Sequence, residues 1–130
     1  MLIRNILEES VRKFDEVKAV KWLKKKEIME RSYGELMENV VSTRKGLLAE
    51  GFEGKHIALI GTSSVEWMES YLGIITGCTT AVPLDAALPC EDLIDLLNRS
   101  DSAALFLSPK LRPYLDAFLE NCPKLQKVWM

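Results

Sequence analysis

An α/β fold, an open and mainly parallel sheet with flanking helices, is predicted by three observations in this 130-residue chain. Strand starts recur evenly: His56, Thr79, Ala103 and Gln126 lie 23, 24 and 23 residues apart, an interval that holds one strand, one helix and two short loops. The runs Ile57-Ala58-Leu59-Ile60, Ala81-Val82 and Ala104-Leu105-Phe106-Leu107 are apolar throughout instead of alternating, as parallel strands covered on both faces are. Helical segments at 64–76, 90–98 and 109–119 connect them, so the βα units from residue 56 close by right-handed crossovers. A helix and a short β-hairpin precede this sheet.

Residues 5–14 form the first amphipathic helix, with Ile6, Leu7, Val11 and Phe14 at helical spacing. Residues 17–23 and 28–32 are strand-like around Lys24-Lys25-Lys26-Glu27, a basic cluster read as a solvated hairpin tip, with contact to anions as the alternative. Ser32 followed three residues later by Glu35 is a capping-box signature. It opens a helix to Ala49 whose apolar stripe is Tyr33, Leu36, Met37, Val40, Val41, Leu47 and Leu48. Gly51 ends that helix as a left-handed cap. Arg44 interrupts the stripe, its stem packing while its charge reaches water. Ser63 and Glu66 have the spacing of a second capping box, at the start of the next helix.

A hydrophobic content of 48% is ample for one packed core, and residues 1–130 are read as a single domain. The net charge of −2 comes from 19 acidic and 17 basic side chains spread along the chain, which leaves no broad footprint for nucleic acid. No apolar run approaches the roughly 20 residues of a membrane span. Glu8 and Glu9 fall where a secretory signal needs its apolar stretch, so a cytoplasmic location is expected. Cys78, Cys90 and Cys122 lack C-x-x-C spacing and are read as free, mostly buried thiols. His56, at a strand entrance, is the one histidine, which leaves little for metal or base chemistry.

Several short segments follow one another in an ordered way. They are Ser32-Tyr33-Gly34-Glu35-Leu36, Gly46-Leu47-Leu48-Ala49-Glu50-Gly51, Gly54-Lys55-His56-Ile57-Ala58-Leu59-Ile60-Gly61, Glu66-Trp67 and Tyr71-Leu72-Gly73-Ile74-Ile75. Val82-Pro83-Leu84-Asp85, Leu88-Pro89 and Leu97-Asn98-Arg99-Ser100 complete the series. In this succession the chain resembles the AMP-forming acyl-CoA synthetases, an adenylate-forming family, and most of all their fatty-acid ligases. Ser63 stands where that family usually places Asn, and Gly54-Lys55 where it often has Gly-Asp.

The resemblance implies a parent enzyme that joins a fatty acid to ATP as an acyl-adenylate, releases pyrophosphate and passes the acyl group to coenzyme A, with Mg as the companion of ATP. The family's phosphate loop ending in Pro-Lys, its aromatic-Gly-x-Thr-Glu segment, its ribose-binding Asp and its C-terminal lysine do not occur in these 130 residues. The chain is therefore expected to be an N-terminal subdomain, with the catalytic motifs beyond its end. Val128-Trp129-Met130 is read as an abrupt, truncated finish. The fragment is expected to need no cofactor, to be inactive, and to self-associate through a terminal strand that nothing covers.

Gly61-Thr62-Ser63-Ser64 joins a buried strand to a helix, where unpaired N–H groups and the macrodipole favour an anion. Thr62, Ser63 and Ser64 are the anion-site candidates, with helix capping as the structural alternative. Trp67 and Tyr71 share a helix face at i, i+4, and the fatty-acid substrate that the resemblance implies makes them candidates for lining an acyl tunnel. Core packing is the alternative, because that helix is apolar nearly all round. Asp85 lies at a strand's C-terminal end, where open α/β sheets place ligands; a turn aspartate is the other reading. No catalytic or metal-ligating residue is assigned. None of G-x-S-x-G, G-x-x-x-x-G-K-[ST] and G-x-G-x-x-G occurs. A self-contained flavodoxin-like binding module and a protein-interaction fragment are the rival classes.

Overall fold

The computed structural model describes residues 2–130. Its elements run α1 (Ile3–Phe14), β1 (Lys18–Lys24), β2 (Glu27–Ser32), α2 (Tyr33–Ala49), β3 (His56–Ile60), α3 (Val65–Ile75) and β4 (Thr80–Leu84). Then come α4 (Cys90–Arg99), β5 (Ser102–Leu107), a 3-10 segment (Pro109–Tyr114), α5 (Leu115–Asn121) and β6 (Lys127–Trp129). β1 and β2 pair antiparallel as a separate hairpin, and the other four strands form one parallel sheet in the order β4-β3-β5-β6. The expected α/β architecture is therefore present, hairpin included.

The sheet is covered on both faces, which is why its strands are apolar throughout. On one face Ala58, Ile60, Leu105 and Leu107 pack with Leu93 and Leu97 of α4 and Phe118 of α5. On the other, Ile57 and Ala104 pack with Leu47 of α2, Phe52 and Ile74 of α3. β6 contributes to both, Val128 to the first face and Trp129 to the second. β4 is an edge strand, a position that accommodates Pro83 within it.

Helix α2 is set by its ends. Ser32 accepts from the Glu35 N–H at 3.1 Å and the Glu35 carboxylate accepts from the Ser32 N–H at 2.9 Å, a complete capping box. These hydrogen bonds hold the Glu35 carboxyl below its ordinary pKa. At the other end Gly51, at φ 80°, donates to Leu48, and Phe52 donates to Leu47, the reciprocal pair of a left-handed C-cap. Against α3 the packing is close: a Cβ on Gly73 would lie 2.6 Å from Thr43.

Three expectations are corrected here. Residues 109–119 are not one α-helix. The Pro113 ring would clash with the Pro109 carbonyl in an α turn, and the segment winds as a 3-10 helix until Tyr114 and only then as α5. Arg44 does not leave its charge to water alone: it is half-buried, its Nη2 donates to the buried Thr76 hydroxyl at 2.9 Å, joining α2 to the end of α3, and burial lowers its pKa. Of the thiols, Cys122 is buried but Cys78 is exposed.

The hairpin is anchored to this body by one buried carboxylate. Glu69 of α3 is 5% exposed. Its Oε2 lies 2.8 Å from Arg31 Nε of β2 and accepts from Asn39 Nδ2 of α2 at 2.7 Å. The Arg31 N–H is not aimed along that contact, so the attraction is chiefly ionic. The guanidinium in turn sits 5.4 Å over the Trp22 ring of β1. Burial raises the Glu69 pKa, against the opposing pull of Asn39 and Arg31.

A folded-state pKa above the unfolded one means that this site stabilises the fold most below the unfolded value, and that the contribution is lost as pH rises through the raised one. Glu69→Gln keeps an acceptor for Asn39 and removes the titration. Urea unfolding between about pH 4 and 8 should therefore show the glutamine variant gaining on the wild type as pH rises. A drift the other way would mean that Arg31 outweighs desolvation.

Candidate functional site

The parallel strands all end on the same rim of the sheet, and the topology opens a crevice there. β3 leads through α3 on one face to β4, whereas β5 leads through the 3-10 segment and α5 on the other face to β6. Neighbouring strands whose connections leave to opposite faces define a switch point, the usual ligand position in open α/β sheets. Here it lies between Gly61-Thr62-Ser63-Ser64, after β3, and Ser108, after β5. Ser108 N–H donates to the Ile60 carbonyl at 2.9 Å, and a Cβ on Gly61 would lie 3.3 Å from the Ser108 Cβ and 3.5 Å from Trp67 Cδ1. Glycine at 61 thus lets the two loops and the indole meet.

Thr62, Ser63 and Ser64 are all exposed at this rim. The expected Ser63–Glu66 capping box does not form. The chain is still extended at Ser64, at φ −156° and ψ 167°, so the helix starts one residue later and Ser64 is its cap, accepting from the Trp67 N–H at 3.1 Å. The residue three beyond Ser64 is then Trp67, which has no carboxylate to return the bond. Glu66 falls within the first turn, where its charge suits the macrodipole.

Trp67 and Tyr71 stack, with ring centroids 5.2 Å apart and planes inclined by 11°. Both are partly exposed, so α3 is less enclosed than its apolar sequence predicts; its buried residues are Val65, Glu69, Gly73 and Ile74. Asp85 reaches the same rim from β4, but its Oδ1 accepts from the Ala87 N–H at 2.9 Å and so folds its own turn. The structure therefore gathers the candidate loop, Trp67, Asp85 and Ser108 at one end of the sheet and engages Ser64 and Asp85 locally.

Sequence reasoning missed Ser108 and the Glu69 network. The signal for Glu69 was present, because Val65, Glu69 and Gly73 lie at i, i+4 and i+8, on the face that approaches α2. Among the described residues no group of three or more His, Cys, Asp or Glu side chains converges to hold a metal ion. Two open grooves lie elsewhere. One of about 290 Å3 runs between α2 and the Phe106–Trp129 pair, and one of about 580 Å3 between α1 and α2. Neither is lined by a rim candidate.

The family model for AMP-binding enzymes matches residues 7–129. No curated protein matches the sequence. The N-terminal domain of FACL13 from Mycobacterium tuberculosis superposes with a TM-score of 0.87 at 18% identity, over 98% of this chain and 33% of that one. A long-chain-fatty-acid-CoA ligase from Archaeoglobus fulgidus gives 0.87 at 17%, over 99% and 27%. An anthranilate CoA ligase solved with anthranoyl-AMP gives 0.84 at 18%, over 98% and 24%. At such identities the likeness shows the fold alone, and this chain spans about a quarter to a third of those structures' lengths. No helix among the described residues is long and apolar enough to cross a membrane.

The two serines separate by stability. Ser64→Ala should cost about 1 kcal/mol, the usual loss for an N-cap, whereas Ser63→Ala should stay within about 0.5 kcal/mol. Chemical denaturation of both variants checks the order; a larger loss at Ser63 would restore the capping role to it.

Proposed function

The chain belongs to the family of AMP-binding enzymes, and from that premise we propose that it is the N-terminal segment of an AMP-forming acyl-CoA synthetase acting on fatty acids. The parent reaction would take a fatty acid, ATP and CoA to acyl-CoA, AMP and pyrophosphate. Residues 1–130 serve as one structural unit in this reading, and the catalytic motifs are supplied by segments outside it. The observation that carries the proposal is the family match along nearly the whole chain. The sheet order alone would not suffice, since a flavodoxin-like domain shares it.

ATP and CoA are assigned to the parent enzyme, as is Mg. Among the described residues no metal-holding cluster is present, and the rim loop's Ser64 is occupied in capping. What the segment contributes is a rigid wall: the rim of Thr62, Ser63 and Ser64, the Trp67–Tyr71 stack and Asp85 positioned for partners that approach the crevice. Free cysteines without disulfides suit a reducing cytoplasm. Self-association of the 130-residue chain is part of the same reading. Among the described residues β6 pairs only with β5, and although Trp129 stacks on Phe106 and meets Phe52 edge-on, no described strand covers its outer edge.

ATP–pyrophosphate exchange with a panel of fatty acids and aromatic acids is the test. The 130-residue chain should be silent with all of them, while a longer polypeptide carrying it should exchange best with a fatty acid. Turnover by the chain alone would overturn the scaffold reading; exchange with aromatic acids only would overturn the fatty-acid assignment. Light scattering of the same chain over a concentration series should show association, and a strict monomer would remove the open-edge argument.

A further inference from the structure

The hairpin is electrostatically unlike the rest of the chain. Residues 18–32 hold six basic and two acidic side chains, a net +4, in a protein whose total is −2; the remaining residues therefore sum to −6. The positive charge is concentrated at the tip, where Lys24, Lys25 and Lys26 are consecutive and exposed and form no ion pair among the described residues. Lys25 and Lys26 sit at φ 50° and 67°, the left-handed pair of a tight two-residue hairpin turn. A side chain rarely accepts that conformation, and here two lysines occupy it where Asn-Gly is the ordinary choice.

The tip also carries a largely exposed aliphatic pair. Leu23 and Ile28 are cross-strand partners next to the turn, 74% and 68% exposed. Their orientation follows from the anchor. Trp22 and Arg31 lie on the hairpin face that meets Glu69 of the body, so Leu23, the next residue along, stands on the opposite face. The result is a convex end with two aliphatic side chains at its apex and three lysines beside them.

We propose that this hairpin tip docks on an anionic lipid surface, with Leu23 and Ile28 entering the headgroup layer and Lys24, Lys25 and Lys26 meeting lipid phosphates. The lysines alone would suit any polyanion. The exposed aliphatic pair selects a surface that can be penetrated, because a phosphate backbone offers such side chains no partner. The charge contrast also orients the molecule, with the basic tip toward the membrane and the acidic remainder away from it.

Co-sedimentation with vesicles tests this. The chain should bind phosphatidylcholine vesicles that contain phosphatidylserine, bind pure phosphatidylcholine far less, and release as salt is raised. Lys25→Asn combined with Lys26→Gly removes two charges and installs the preferred turn, so the hairpin is kept. At about fivefold per lysine, binding should fall about 25-fold. Leu23→Ser with Ile28→Ser should also weaken it, with circular dichroism unchanged. Absence of binding to phosphatidylserine vesicles at low salt would overturn the proposal. So would undiminished binding of the double-serine variant with full competition by heparin, which would mark a polyanion site instead.

Discussion

Strand β3 has no free side: both its edges are hydrogen-bonded, to β4 and β5, and both its faces are roofed by helices. Ile57, Ala58, Leu59 and Ile60 are accordingly all buried. Each large side chain among them brings about 1.5–3 kcal/mol of transfer free energy. Much else follows from that enclosure. A charge anywhere in these four residues would lack both water and a partner. Gly73 lets α3 lie close against α2, whose Leu47 packs on the same face of the sheet. The loops after β3 and β5 leave to opposite faces, since the strands flanking β3 require crossovers on both of them, and the crevice at the rim is the geometric remainder.

Much of this was legible in the sequence because the relevant forces are local or periodic. Continuous apolar runs announced parallel strands, and the Ser32–Glu35 spacing and Gly51 announced both ends of α2. What escaped reading depended on through-space partners. Ser63 and Ser64 are equivalent as capping residues, and only the backbone angles choose between them. The winding from 109 to 114 reflects the crowding of the Pro109 carbonyl by the Pro113 ring, which a helical hydrophobic pattern does not register. Glu69 looked like one more polar residue until Arg31 and Asn39, distant in sequence, converged on it.

The candidate rim illustrates a different limit. Thr62, Ser63, Ser64, Trp67 and Asp85 are separate candidates in the sequence, and the fold brings them to one end of the sheet. Capping occupies Ser64, and a turn occupies Asp85. Side chains engaged in holding their own loops give a binding surface its shape before they give it chemistry. That suits a segment whose matched structures carry about two thirds or more of their length elsewhere.

The two borders of the parallel sheet are unequal. On β4, Pro83 has no backbone N–H to offer a further strand, while β6 runs through Lys127, Val128 and Trp129 without a proline. Lateral growth of the sheet is therefore vectorial. Strand addition is discouraged at the β4 border and met by no proline at the β6 border, so the order β4-β3-β5-β6 extends more readily at its β6 end.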